Sequence, residues 1–244
     1  MSEKKTPAPR QAGEPVAKPR SDAGAVDAFL KQARAMAVPS GGASKGRLVL
    51  ALDATMSRQP TWDLACSLQA EMFDAVGRTG RLDVQLVYFR GFGECRASRF
   101  VSDTAELKEL MVKIDCRAGH TQLGKVLSHA VKETAREKVN ALVYIGDAME
   151  EEIDDLADKA GRLGLAGTPV FVFQEGGDAT AERAFREIAR LSRGAFFRFD
   201  RSAASTLASL LSAVAVYATG GLKALENRGR SEDRLLIENM RGGR

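Results

Sequence analysis

The sequence predicts a doubly wound α/β domain with a mostly parallel sheet, helices on both faces and one short antiparallel edge strand. Two observations support this fold class. From Arg47 onward, short apolar runs alternate in a regular rhythm with segments of helical periodicity, as expected for parallel strands joined by right-handed helical crossovers. Hydrophobic residues make up 44% of the 244 residues and charged residues 28%, so the chain can form a packed core.

Five strand candidates share runs rich in Val, Leu and Phe: 47–53, 82–89, 140–147, 168–174 and 195–199. Six segments carry apolar residues at helical spacing: 60–77, 104–114, 121–138, 150–164, 179–192 and 203–219. The segment 94–101 alternates and follows Gly91 and Gly93, so we expect it to form the edge strand by way of a hairpin.

The flanking segments differ in composition from the domain, which we place at 47–221. Residues 1–24 are rich in proline and charge and are expected to be disordered. Residues 25–46 have apolar residues at helical spacing followed by a glycine- and serine-containing break, which predicts a leader helix and a linker. Residues 222–244 form either a charged C-terminal tail or a short helix.

Charge and cysteine content favour a cytoplasmic protein, of bacterial character, that does not bind nucleic acid. Lys and Arg number 36 and Asp and Glu 32, a scattered surplus of +4 that is too small for a phosphate-binding surface. The three cysteines have no paired spacing, and the charged, proline-containing N-terminus lacks the apolar core of a secretory signal. The uncharged stretch 202–222 is long enough to cross a bilayer. Its serines and its single apolar stripe instead favour a core helix, so we expect no membrane span.

Three polar segments follow predicted strands or begin a predicted helix, where an open parallel sheet places its functional crevice. Asp53, Thr55 and Ser57 follow the first strand at alternate positions. Thr121 lies in a glycine-containing loop at a helix start, and Asp147 ends the strand at 140–147. Two carboxylates and three hydroxyls form an all-oxygen donor set that suits a hard divalent cation, with Mg²⁺ favoured and Mn²⁺ or Ca²⁺ also compatible.

This pattern resembles the metal-ion-dependent adhesion site (MIDAS) of von Willebrand factor A (VWA) domains, over about Arg47 to Gly220. The resemblance implies that Thr55, Ser57 and Thr121 supply hydroxyl ligands and that Asp53 and Asp147 bind directly or through water. It also implies a protein-binding module, without catalytic or cofactor-binding residues, in which a partner's Asp or Glu completes the coordination. Thr55 stands where Ser is commoner in the family. His120 replaces one of the small residues that usually precede the second Thr, so it is expected to crowd the site or to hydrogen-bond there.

Several alternatives stay open at the level of the sequence. Asp53 and Asp147 could cap turns, and Thr121 could be a helix N-cap. A haloacid-dehalogenase-like phosphoryl transferase with Asp53 as nucleophile would need a second carboxylate at position 55, where the chain has Thr. The partner could be an ATPase or a chelatase-type complex, because the chain itself has no GxxxxGK[ST] phosphate loop.

Four other features have simple structural interpretations. The acidic run at 150–152 is expected to form the first turn of a helix, and Trp62 is expected to pack beside the metal loop. His129 is expected to be a packed or solvated helical residue. No base is predicted beside Cys66 or Cys116, so neither is assigned a nucleophilic role.

Overall fold

A six-stranded sheet forms the centre of the computed structural model, which describes residues 45–55, 62–63, 81–199 and 204–242. Its strands are β1 (Lys45–Asp53), β2 (Arg81–Arg90), β3 (Glu94–Val101), β4 (Ala141–Gly146), β5 (Val170–Glu175) and β6 (Ala195–Phe199). They lie in the order β3-β2-β1-β4-β5-β6. All neighbouring pairs are parallel except β2 and β3. The predicted doubly wound sheet with one antiparallel edge strand is confirmed.

Six helices follow in the described residues: α1 (Thr104–Val112), α2 (Leu123–Arg136), α3 (Ile153–Leu165), α4 (Ala179–Ser192), α5 (Ala204–Arg228) and α6 (Ser231–Gly242). Trp62 and Asp63 are also helical. The predicted tail 1–24, the leader segment up to residue 44, Ser57 and most of the helix predicted at 60–77 lie outside the described residues. Lys45 and Gly46, predicted as linker, are the first residues of β1.

The central strands are continuous apolar runs because both faces of the sheet are covered. Successive residues of a strand point to opposite faces. In β1, Leu48, Leu50 and Leu52 join the core formed with α1, α5 and α6. Val49 and Ala51 join the core formed with α2, α3 and α4. This arrangement confirms the prediction of helices on both faces.

The antiparallel edge strand β3 is joined to β2 by the turn Gly91-Phe92-Gly93. Gly91 has φ 62°, in the left-handed region that glycine adopts without a steric penalty. Across the turn Arg90 pairs with Glu94 at 2.9 Å, and Glu94 also pairs with Arg96 at 2.9 Å. Charged side chains of this kind discourage an exposed edge strand from pairing with another sheet.

Helix α5 is the uncharged segment that raised the question of a membrane span. By length and composition, Ser205–Arg228 is apolar enough to cross a bilayer, with a mean hydropathy of 1.4 in its most apolar window. That window is 61% buried inside the structure, and Leu207 and Val214 are fully buried against the sheet. Helical geometry is interrupted at Gly221, with φ 65° and ψ −163°. The helix therefore packs as a core element of the domain up to this kink.

Beyond the kink, the chain stays helical and returns to the domain as α6. Leu225, Leu236 and Ile237 are buried in the core shared with α5. The turn between α5 and α6 is closed by Asp233, whose side chain is fully buried. Its carboxylate accepts hydrogen bonds from Nε of Arg228 at 2.8 Å and from the main-chain N–H of Arg230 at 3.0 Å. The C-terminal residues up to Gly242 are thus part of the packed structure.

We expect Asp233→Asn to lower the free energy of unfolding by about 3 kcal/mol, because it leaves the Arg228 guanidinium without its charged partner in a largely buried position. The matched control is Glu226→Gln, which removes an exposed ion pair with Arg241 at 3.2 Å and should cost less than about 1 kcal/mol. Urea unfolding followed by circular dichroism measures both. Equal losses in the two variants would contradict the role given to Asp233.

If α5 is a core helix in the cell, the protein should remain in the supernatant after high-speed centrifugation of a detergent-free lysate. The reason is that the apolar residues of α5 are already buried against the sheet. Immunoblotting of pellet and supernatant measures this distribution. Recovery in the membrane pellet that resists a high-salt wash would contradict it.

Candidate metal site at the carboxyl ends of β1 and β4

The predicted ligands lie where the strand order reverses. From β1 the chain proceeds outward through β2 and β3, whereas β4, β5 and β6 occupy the other side of β1. In sheets of this kind, ligands bind in the crevice beyond the carboxyl ends of the two strands at the reversal. Leu52 of β1 is paired with Ile145 of β4. Asp53 directly follows Leu52, and Asp147 comes two residues after Ile145, so both lie at this crevice.

The end of β1 holds a buried carboxylate within a tight turn. Asp53 is 3% exposed and Thr55 8% exposed. Oδ1 of Asp53 accepts a hydrogen bond from the N–H of Thr55 at 2.8 Å. The intervening N–H of Ala54 donates to the carbonyl of Phe89 at the end of β2, at 2.9 Å. The turn therefore continues the sheet by one residue and holds the Asp53 side chain in a defined position.

The loop that carries Thr121 is hydrogen-bonded to both neighbouring segments. On one side, the N–H of Arg117 donates to the carbonyl of Ala54 at 3.0 Å. On the other, the main-chain N–H of Glu150, three residues after Asp147, donates to Oγ1 of Thr121 at 3.1 Å. These bonds join the three polar segments in series. Four of the five predicted residues, Asp53, Thr55, Thr121 and Asp147, thus lie in connected segments at one end of the sheet.

Thr121 is not the N-cap of the helix that follows it. The N-cap position of α2 belongs to Gln122, whose side chain makes no capping hydrogen bond. Instead the Glu151 carboxylate accepts from the N–H groups of Leu123 at 2.6 Å and Gly124 at 2.8 Å. The helix start is therefore satisfied from elsewhere in the chain. A hydroxyl oxygen has two lone pairs, so the single bond accepted from Glu150 is compatible with coordination of a metal by Thr121.

The prediction that the acidic run at 150–152 forms the first turn of a helix is wrong, because Glu150 and Glu151 precede the helix and Glu152 is its N-cap. Helix α3 begins at Ile153, and its acidic first-turn residues are Asp154 and Asp155. Glu151 caps α2 as described above. Oε2 of Glu150 accepts from the N–H of Thr121 at 3.3 Å and lies 2.9 Å from Nδ1 of His120. Both carboxylates bind the start of α2 because its unpaired N–H groups attract negative charge.

Two residues of the Thr121 loop, His120 and Gly119, contact the turn between β2 and β3. His120 hydrogen-bonds to Glu150, as described, and its ring also contacts Phe92 in an edge arrangement with centroids 5.2 Å apart. The expected hydrogen bond at the site is therefore made to Glu150. Gly119 lies against the β2–β3 turn: a Cβ there would be 2.2 Å from the carbonyl oxygen of Gly91. Glycine is required here because the two backbones are in contact.

Three further residues singled out from the sequence, Trp62, His129 and Cys116, are buried or half-buried in the part of the chain that the structure describes. Trp62 is 2% exposed, which confirms that it is packed, and its indole N–H donates to the carbonyl of Met111 in α1 at 3.3 Å. Nε2 of His129 lies 2.9 Å from Oε1 of Gln85, and burial lowers the pKa of this imidazole. Cys116 is half-buried against the core, and Cys66 lies outside the described residues.

The donor set determines which metal could be held. Within residues 45–55, 62–63, 81–199 and 204–242, no group of three or more His, Cys, Asp or Glu side chains is arranged to hold a metal ion. The predicted set instead combines two carboxylates with hydroxyl oxygens, which suits a hard cation that keeps part of its water shell. The residues present therefore fit a hydrated divalent ion.

No protein-family model and no curated protein sequence matches the chain. Solved structures do match. A von Willebrand factor type A protein from Catenulispora acidiphila is 18% identical, with a TM-score of 0.57 over 72% of this chain and 43% of that chain. Proximal thread matrix protein 1 from the mussel byssus, with a zinc-occupied MIDAS motif, is 18% identical, with a TM-score of 0.55 over 71% of this chain and 46% of that one.

A third similar structure has nearly the same length as the domain. An aerotolerance-related membrane protein from Bacteroides fragilis is 21% identical, with a TM-score of 0.53 over 68% of this chain and 98% of that chain. By contrast, the chain spans less than half of the length of the Catenulispora and mussel proteins. Similarity at these identities concerns the fold, and together with the observed strand order it shows that the chain is a VWA-fold protein.

Proposed function

We propose that this chain is a metal-dependent protein-binding module whose bound Mg²⁺ is completed by an Asp or Glu of a partner protein. Asp53, Thr55, Ser57, Thr121 and Asp147 would hold the ion. The observation that carries the proposal is the pair of hydrogen bonds joining the three segments, from Arg117 to Ala54 and from Glu150 to Thr121. This connection supports an all-oxygen donor set at the crevice of the sheet.

The composition of the donor set favours binding of an external anionic ligand. Two carboxylates balance the charge of a divalent ion, and hydroxyl oxygens add little negative charge. Mg²⁺ takes about six oxygen ligands and keeps several waters in protein sites. An ion held in this way is electrophilic and has positions at which a carboxylate can replace water. The similarity to a VWA-fold protein with a zinc-occupied MIDAS supports a divalent metal at this place in the fold.

Binding explains the site better than phosphoryl transfer does. An aspartyl nucleophile needs a nearby acid or base to protonate the leaving group and activate water. Position 55, where a haloacid dehalogenase would carry that carboxylate, is Thr, and its N–H holds Oδ1 of Asp53 at 2.8 Å. In the proposal, Asp53 and Thr55 are instead ligands of one ion. We therefore propose a module without catalytic residues.

The proposed setting is the cytoplasm, because the three cysteines of the sequence are widely spaced and do not have the paired pattern of a disulfide framework. The partner is a protein, and an ATP-driven complex of the ATPase or chelatase type is one candidate. This chain would then provide the protein-binding function of the complex, and the partner would use the ATP. Neither nucleic acid nor a membrane span is part of this proposal.

We expect the isolated protein to bind one Mn²⁺ or Mg²⁺ weakly and Asp53→Asn to reduce that affinity at least about tenfold. Loss of outer-shell groups alone costs about 10–100-fold in metal sites, and Asp53 is a proposed ligand. Isothermal titration calorimetry measures the affinities, and circular dichroism checks the fold. The control is Asp158→Asn, an exposed carboxylate on α3, which should bind as the wild type does. Equal affinity in wild type and Asp53→Asn would contradict the assignment.

Partner capture should depend on the Thr121 hydroxyl. Affinity purification from the native cell in Mg²⁺, analysed by mass spectrometry, should recover a protein that is lost with chelator and with Thr121→Val, which keeps the side-chain shape but lacks the ligand oxygen. Thr121→Ser should retain it, because the oxygen remains. Hydrolysis of generic phosphoester substrates by the wild type and by Asp53→Asn is measured in parallel. Robust hydrolysis by the wild type that disappears in Asp53→Asn would replace the binding function with an enzymatic one.

A further inference from the structure

We propose that Phe92, in edge contact with His120, and Arg117, in the loop that carries Thr121, form a rim of the metal site that binds an apolar side chain close to the partner's coordinating carboxylate. The proposal rests on the function proposed above and adds the chemistry of the partner. The occupant is an acidic segment of another protein with an aromatic or branched aliphatic residue within a few positions of its Asp or Glu.

The first argument is the exposure of Phe92. Its side chain is 82% exposed, and it is the only aromatic residue among the six exposed large hydrophobics of the described chain. The other five are aliphatic: Val112, Ile153, Leu165, Leu222 and Leu235. A scattered exposed aliphatic residue is ordinary, but large aromatic rings at a binding surface are frequent sources of affinity.

The second argument is that the exposed ring is presented by a rigid turn. The carbonyl of Gly91 accepts from the N–H of His120 at 3.2 Å and from Nε2 of Gln122 at 3.3 Å. The carbonyl of Gly93 accepts from Nζ of Lys125 at 2.9 Å. Both residues flanking Phe92 are therefore fixed to the loop and helix start that carry Thr121. A side chain held in this way loses little conformational freedom when it binds a partner.

The third argument is the direct connection between the ring and the metal site. The Phe92 and His120 rings are in edge contact at 5.2 Å. His120 in turn lies 2.9 Å from the Glu150 carboxylate, which also accepts from the N–H of Thr121. The Phe92 ring thus contacts the side chain of His120, the residue directly before the proposed metal ligand Thr121. A single short segment of a partner can contact both.

Charge indicates that the segment is acidic. Arg117 is exposed, and its side chain makes no hydrogen bond or ion pair within the part of the chain that the structure describes. Its main-chain N–H is bound to Ala54, in the turn that follows β1. The main chain of Arg117 is therefore attached beside the Asp53 turn, and the positive charge of this exposed residue complements a carboxylate-bearing segment.

A library of random peptides displayed on phage tests the proposal without knowledge of the natural partner. The library is panned on the protein in Mn²⁺ and eluted with chelator. On the wild type we expect enrichment of Asp or Glu together with Phe, Trp, Leu or Ile within a few positions. On Phe92→Ser the acidic enrichment should persist while the apolar enrichment disappears. For one selected peptide, fluorescence anisotropy should show about tenfold weaker binding to Phe92→Ser, and Phe92→Leu should recover part of the loss.

The control variant is Leu165→Ser, which removes a residue that is 86% exposed at the end of α3, the helix terminus that faces away from the site. It should bind the selected peptide within about twofold of the wild type. Equal apolar enrichment on wild type and Phe92→Ser, or acidic enrichment alone, overturns the aromatic rim but leaves the metal-dependent function standing. Absence of any chelator-eluted acidic peptide overturns both. Phe92-dependent dimerisation in light scattering assigns the surface to a second copy and also overturns the proposal.

Discussion

The loop that carries Thr121 is hydrogen-bonded to the segments that follow β1 and β4, and the geometry of the whole site depends on this attachment. Arg117 binds the residue after Asp53, and Glu150, which follows Asp147, binds the Thr121 hydroxyl. Neither bond belongs to a strand or a helix. Without them, Asp53 and Asp147 would still lie at the ends of neighbouring strands, but the third segment would lose two of the bonds that hold it between them.

Electrostatics give the same loop a second constraint. Helix α2 begins directly after Gln122, and its first N–H groups need acceptors. The Glu151 carboxylate accepts hydrogen bonds from two of these N–H groups. The Glu150 carboxylate hydrogen-bonds to the N–H of Thr121 and to the His120 ring. The two carboxylates thus add negative charge beside a site proposed to hold a cation. Since the start of α2 partly compensates this charge, the acidic run stabilises the loop and favours a metal at the same place.

The fold could be predicted from the sequence because its main signals are local. The Val-, Leu- and Phe-rich runs correspond to strands buried on both faces, and the segments 94–101 and 179–192 have the predicted bounds. The roles of Glu150 and Glu151 could not be predicted in this way. They depend on hydrogen bonds to residues 27 to 29 positions earlier, whereas helical periodicity assigned both residues to the helix that follows them. Likewise, the packing of α6 depends on the Arg228–Asp233 pair, which composition alone does not reveal.

The backbone contact between Gly91 and Gly119 also limits how the site can change during evolution. The three atoms nearest to a Cβ at position 119 would be main-chain atoms of Gly91, at 2.2 to 2.5 Å, so no rotamer change could relieve the clash. The turn with Phe92 and the loop with Thr121 therefore cannot drift independently. A lineage that acquires a new partner can replace the exposed side chains at positions 92, 117 and 120 one at a time while the two glycines stay fixed. The proposed binding specificity can then change at these three side chains, although the backbone contact beneath them tolerates almost no substitution.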